Sequence, residues 1–139
     1  MNPNKEAILA KLNAIVPNTL LATLQISYTD VGEDFLTAKM PVNPSVHQPQ
    51  GLLHGGATVA LAETVGSTAS HLFIDTSQYK VKGLEISANH LKSKKEGEVF
   101  ATARPIHKGR TTHLWEIRVE DEEGKLISLC KLTTIVLEK

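Results

Sequence analysis

The amino-acid sequence predicts an α+β fold in which an antiparallel sheet covers one long central helix. Three observations carry this. Between residues 55 and 73 the apolar side chains Leu61, Val65, Ala69 and Leu72 recur at helical spacing. After Asp75 the pattern switches to period two through four successive segments, 81–90, 99–106, 112–119 and 125–137. Two more strand-like segments, 19–29 and 35–41, precede the helix.

Taken in order, 1–16 reads as an amphipathic helix with Ile8, Leu9, Leu12, Ile15 and Val16 apolar. Segment 19–29, rich in Leu, Ile, Thr and Tyr, is expected to be a strand, turned by Gly32-Glu33-Asp34 into the second strand of a hairpin. Asn43-Pro44-Ser45 and Gln48-Pro49-Gln50-Gly51 break regular structure, so a stiffened loop delivers His54 to the central helix. Besides its packing face, that helix has a small, polar stripe of Gly56, Ala60, Glu63, Ser67 and Ser70. Lys94-Lys95-Glu96-Gly97, His107-Lys108-Gly109-Arg110 and Asp121-Glu122-Glu123-Gly124 separate the later strands, each expected to be a hairpin turn with a glycine available for positive φ. No repeat or linker divides the chain, so 1–139 reads as one domain.

A chain of 139 residues buries roughly two-thirds of the surface it exposes unfolded, so its core needs neither metal nor disulfide. With 15 basic and 15 acidic residues the net charge is zero, which argues against nucleic acid or an anionic membrane as partner. One cysteine, Cys130, fits a reducing compartment, and a cytoplasmic location is expected. The N-terminal segment lacks a signal peptide's apolar run and cleavage site, and no apolar run approaches the roughly 20 residues of a membrane span. No metal is expected, because the histidines at 47, 54, 71, 90, 107 and 113 are scattered and no cysteine pair exists.

The chemistry concentrates at Gly51-Leu52-Leu53-His54-Gly55-Gly56-Ala57. A helix opening there offers unpaired N–H groups and the positive end of its dipole to an oxygen, and Gly55 and Gly56 let a ligand come close. His54 stands beside those amides, and Gln48 adds a donor from the same loop. Glu63 is the sharpest single candidate, a lone carboxylate flanked by Ala60, Leu61, Ala62, Val65 and Gly66. That company is expected to bury it as a general base or a nucleophile, with Ser67 one turn later holding the carboxylate or a water. Glu63 lies nine residues beyond His54, roughly 13 Å along one helix axis. If both act on one substrate, they come from different copies. Two basic clusters, Asn89-His90-Leu91-Lys92-Ser93 and His107-Lys108-Gly109-Arg110-Thr111, read singly as solvated turns but together could hold phosphates.

Four blocks in this order resemble the hotdog-fold acyl-CoA thioesterases, in the branch of the 1,4-dihydroxy-2-naphthoyl-CoA and enterobactin-proofreading enzymes. They are Gln48-Pro49-Gln50-Gly51-Leu52-Leu53-His54-Gly55-Gly56-Ala57, Leu61-Ala62-Glu63-Thr64-Val65-Gly66-Ser67, Gly83-Leu84-Glu85-Ile86-Ser87-Ala88-Asn89-His90, and His107-Lys108-Gly109-Arg110 with Trp115-Glu116-Ile117. The resemblance implies dimers joined edge to edge, paired into tetramers, with active sites at the dimer interface. It implies Glu63 as catalytic carboxylate, Gln48 and His54 as thioester-carbonyl contacts, the Gly55 and Gly56 amides as helix-start donors, and Ser67 as an assisting residue. Gly83, Asn89, His90, Leu91, Lys92 and Ser93, with His107, Lys108, Gly109, Arg110, Thr111 and Thr112, match segments that contact coenzyme A. No separate cofactor is implied, since coenzyme A is part of the substrate. An acyl-CoA or carrier-protein thioesterase of broad range, and a non-catalytic acyl-CoA-binding module, stay open beside an aromatic acyl-CoA hydrolase. A hydratase of the same fold would bring a Gly-x-x-x-Pro context that is absent here.

Overall fold

The computed structural model describes residues 3–139, so Met1 and Asn2 of the expected N-terminal helix lie outside the described residues. Helix α1 (Pro3–Ala14) places Leu9 in the core and packs Ile8 and Leu12 against it. Ile15 falls beyond the helix and is exposed. The Asn13 side chain fastens α1 to the sheet by donating to the Tyr28 carbonyl (3.0 Å) and accepting from the Tyr28 N–H (2.9 Å).

The segment expected to be a strand from residue 19 divides instead. Thr19 caps a short helix, α2 (Leu20–Thr23), accepting from the Leu21 N–H, and Gln25 takes a positive φ of 60° before β1 (Ser27–Val31) begins. Side-chain capping at a hydroxyl residue outweighs the β propensity of its neighbours. Strand β2 (Leu36–Val42) completes the hairpin, and a 3-10 turn (Pro44–Val46) leads toward α3 (Gly55–Leu72). Four long strands follow: β3 (Tyr79–His90), β4 (Gly97–Lys108), β5 (Thr112–Glu120) and β6 (Leu126–Glu138).

All six strands form one sheet in the order β1-β2-β4-β5-β6-β3, with antiparallel neighbours. The 107–110 and 121–124 turns close hairpins as expected. The 94–97 separator does not, because β3 pairs with β6 while β4 crosses to β2. Glu122 secures that crossing by accepting from Lys94 Nζ (2.5 Å) and from the Glu98 N–H (2.8 Å), and these contacts hold its carboxyl down at about 2.

The sheet curls around α3. Leu61, Ala62, Val65 and Ala69 are fully buried against Trp115, Ile117, Val119, Cys130 and Leu132. At Gly66 an added Cβ would lie 2.7 Å from Leu132 Cδ2, so the glycine sets how closely helix and sheet approach. Two assignments on this helix are reversed. Leu72, expected on the packing face, is exposed, whereas Ser70, expected on the polar stripe, is fully buried. Ser70 Oγ accepts from Trp115 Nε1 (2.6 Å) and bonds Thr134 Oγ1 (2.8 Å) and His113 Nδ1 (3.0 Å).

Candidate active site

The loop before α3 is held by its own backbone and side chains. Asn43 Oδ1 accepts from the Ser45 N–H (3.0 Å), the Gln48 N–H donates to the Leu52 carbonyl (2.8 Å), and the His54 N–H donates to the Val46 carbonyl (2.8 Å). Gly51 turns this loop with φ of 79°. His47 is structural, its Nε2 donating to the Lys95 carbonyl (2.8 Å). Gln48 lines the cavity that the loop borders, with its Oε1 accepting from the Gln50 N–H.

His54 caps α3, and its Nδ1 accepts from the Gly56 N–H at 2.7 Å. The Gly56 amide, expected to serve a substrate oxygen, is therefore occupied by the cap. A backbone N–H only donates, so Nδ1 is unprotonated and the neutral ring carries its proton on Nε2. That arrangement presents two outward donors, His54 Nε2–H and the Gly55 N–H, for which no protein acceptor is found among the described residues.

His90 lies over this helix start. Ser128 donates its hydroxyl proton to the Asn89 carbonyl (3.1 Å), so its oxygen receives His90 Nδ1–H (2.9 Å) and the neutral ring keeps a lone pair on Nε2. A Cβ at Gly55 would lie 2.7 Å from that Nε2, which explains why the position is glycine. Gly55, His90, Gln48, Leu52, Leu53 and Lys92 border a cavity of about 310 Å³, with Leu91 and Ser93 at its side. Leu52 and Leu53 supply its apolar wall.

Glu63 departs from expectation. Within one chain it is exposed, and among the described residues no hydrogen bond or ion pair holds its carboxylate. It leans over edge strand β3, where a Cβ at Gly83 would lie 3.0 Å from Oε2. Ser67 follows one turn later, half-buried.

The two basic clusters do not meet within the chain. Asn89, His90, Leu91, Lys92 and Ser93 flank the start of α3, whereas His107, Lys108, Gly109, Arg110, Thr111 and Thr112 lie near its end. Lys108 Nζ stands 4.0 Å from the Phe73 ring centroid there, and the Gly109 N–H donates to the Thr112 carbonyl (2.8 Å). A second cavity of about 270 Å³ opens between Phe73, Tyr79, Arg110 and His113. The sequence reading gave His113 no role. Its period-two register with Trp115 and Ile117 was the signal that it turns inward. Burial first, then the charges of Lys108 and His107, push its pKa down, so the ring is neutral at neutral pH.

The chain thus carries a helix start with two open donors, a carboxylate on α3 beside an edge strand, and basic turns, and residues 50–128 match the thioesterase superfamily. The chain belongs to that family. It is 43% identical over 133 residues to the 1,4-dihydroxy-2-naphthoyl-CoA hydrolase of Escherichia coli K12, covering 96% of this chain and 97% of that one. Among solved structures it resembles a thioesterase of Pseudomonas aeruginosa (TM-score 0.92, 48% identity, 94% of each chain). It also resembles a thioesterase of Haemophilus influenzae (TM-score 0.91, 42% identity, 94% of this chain and 90% of that one). The sheet around α3 is the hotdog fold of these enzymes, and the protein is a thioester hydrolase.

Proposed function

We propose that this protein hydrolyses an aromatic acyl-CoA at two equivalent sites, each built from two chains. One observation carries the proposal: Glu63 contacts edge strand β3 near its middle, at Gly83, and Gly55 meets its C-terminal end, at His90. The free edge of β3 is long for an uncovered strand, a feature proteins cover by pairing. Twofold antiparallel pairing with a second β3, centred near Ile86 and Ser87, sets Gly83 of one chain against the partner's His90. Glu63 then approaches the partner's His54 and Gly55. The same rotation brings the Tyr79 and Arg110 cavity toward the partner's Lys92 and Ser93, joining two basic clusters that one chain keeps apart.

In such a site the Gly55 N–H and His54 Nε2–H polarise the thioester carbonyl, and the partner subunit desolvates Glu63. Glu63 either attacks the carbonyl carbon, expelling the coenzyme A thiolate and leaving an anhydride for water to open, or takes a proton from the attacking water. Single turnover in isotope-labelled water separates the two, since only the anhydride route leaves label in Glu63. No cofactor takes part, and the homologous naphthoyl-CoA hydrolase supports an aromatic acyl group.

Subunit mixing tests the proposal. Glu63→Gln and His54→Ala homodimers are expected to be nearly inactive. Mixed equally and allowed to exchange, they should recover about a quarter of the wild-type rate, because half the dimers then hold one intact site. No recovery, with exchange verified, would place both groups in one chain and refute the reading.

A further inference from the structure

Glu63, Ser67 and His71 lie at four-residue spacing along one flank of α3. An acyl group that rests on Glu63 and Ser67 and continues along this flank meets His71. Phe73, about 200° further round the helix, lines the sheet-side cavity with Arg110. The charged end of a coenzyme A ester and the His71 flank thus belong to different sides of the helix.

The His71 ring is exposed but held, with Nδ1 2.9 Å from the Ser67 carbonyl oxygen. A carbonyl oxygen only accepts, so Nδ1 carries the proton and Nε2 of the neutral ring keeps its lone pair. Among the described residues no group bonds that nitrogen. His71 stands about 12 Å beyond Glu63 along the axis, with its ring drawn back toward Ser67.

On the basis of the thioesterase reading above, we infer that His71 determines acyl specificity, accepting a hydrogen bond from a donor at the far end of the acyl group, such as a phenolic hydroxyl. A histidine in the last turn of a helix can also act as a cation near the C-terminus. That role would alter stability and leave substrate choice alone.

The test is the ratio of kcat/KM for 4-hydroxybenzoyl-CoA and 4-fluorobenzoyl-CoA, two rings of similar size of which only the first carries the donor. Comparing the ratio between wild type and variant cancels their intrinsic difference in reactivity. His71→Leu should lower the ratio roughly five- to tenfold, mainly through KM for the hydroxy substrate. His71→Gln, whose carbonyl can accept, should restore part of it. Melting temperature checks that both variants fold. An unchanged ratio in His71→Leu, with turnover retained, overturns the specificity role and leaves the thioesterase reading standing. If the wild type cleaves neither these nor any other acyl-CoA, the parent reading fails and this inference falls with it.

Discussion

Replacing Gly83 by alanine separates stability from catalysis. The added methyl would lie 3.0 Å from Glu63 Oε2, against about 3.3–3.6 Å for a comfortable carbon–oxygen contact, so the carboxylate must retreat by several tenths of an ångström. The backbone accepts the change, because the glycines in the left-handed region are Gly51, Gly97 and Gly124. Removing glycine from a strand interior also tends to stabilise, by about 0.5–1 kcal/mol. Activity should move the other way. A displacement of about 1 Å costs roughly a hundredfold in rate, so a smaller one is expected to lower kcat about tenfold. Thiol release at saturating acyl-CoA reads kcat, thermal unfolding reads stability, and size-exclusion chromatography checks assembly. Were Gly83 only a coenzyme A contact, KM would rise with kcat preserved. An unchanged kcat in a folded, assembled variant would refute the claim that Gly83 makes room for the Glu63 carboxylate.

Three other outcomes follow from the same geometry. Ser70→Ala removes the acceptor of a buried indole N–H that can only donate, and should cost about 1–3 kcal/mol in denaturant unfolding; a loss of a few tenths would contradict its place as hub. Glu122 has its carboxyl lowered from 4.5 to about 2 in the folded chain, so its stabilisation is complete above pH 4.5 and disappears as pH falls toward 2. Stability curves of wild type and Glu122→Gln should therefore diverge above pH 4.5 and converge near pH 2, and parallel curves would exclude the contact. Ser87→Cys, close to the proposed twofold axis, should cross-link two chains under oxidation while Lys80→Cys should not, because Cα atoms must come within about 4.4–6.8 Å. The reverse result would move the axis.

The central helix and the four later strands were legible because periodicity is local, whereas 19–29 was not, because the Thr19 cap that starts α2 leaves no periodic trace. Nor was the strand order. Alternation in 81–90 is the same whether β3 pairs with β4 or with β6, and the contact that secures the crossing, Glu122 to Lys94 and Glu98, spans distant residues. The exchange of Ser70 and Leu72 has a geometric cause. Leu61 and Leu72 differ by only about 20° on the helical wheel, yet one is fully buried and the other exposed. A twisted sheet wraps α3 differently along its length, so its buried side at residue 61 is not its buried side at residue 70. At the helix start, His54 and the Gly56 amide were both seen as functional, but sequence could not show that one satisfies the other.

Glu63 shows why the site was only half legible. Its apolar neighbours pointed to burial, and within one chain it is exposed over an open strand edge. Both facts fit if the burying surface is a second copy. Linkage then ties substrate to assembly: a thioester that touches both chains binds the dimer and not the separated chain, so it must tighten the dimer. Specific activity should fall on dilution once the concentration drops below the dimer dissociation constant. A non-hydrolysable acyl-CoA analogue should move that dissociation to lower protein concentration, by a factor that grows with analogue concentration. Sedimentation measures the shift directly. A dimer whose dissociation ignores saturating analogue would mean that the ligand contacts one chain alone, and the two-chain site would have to be abandoned even with Glu63 still essential.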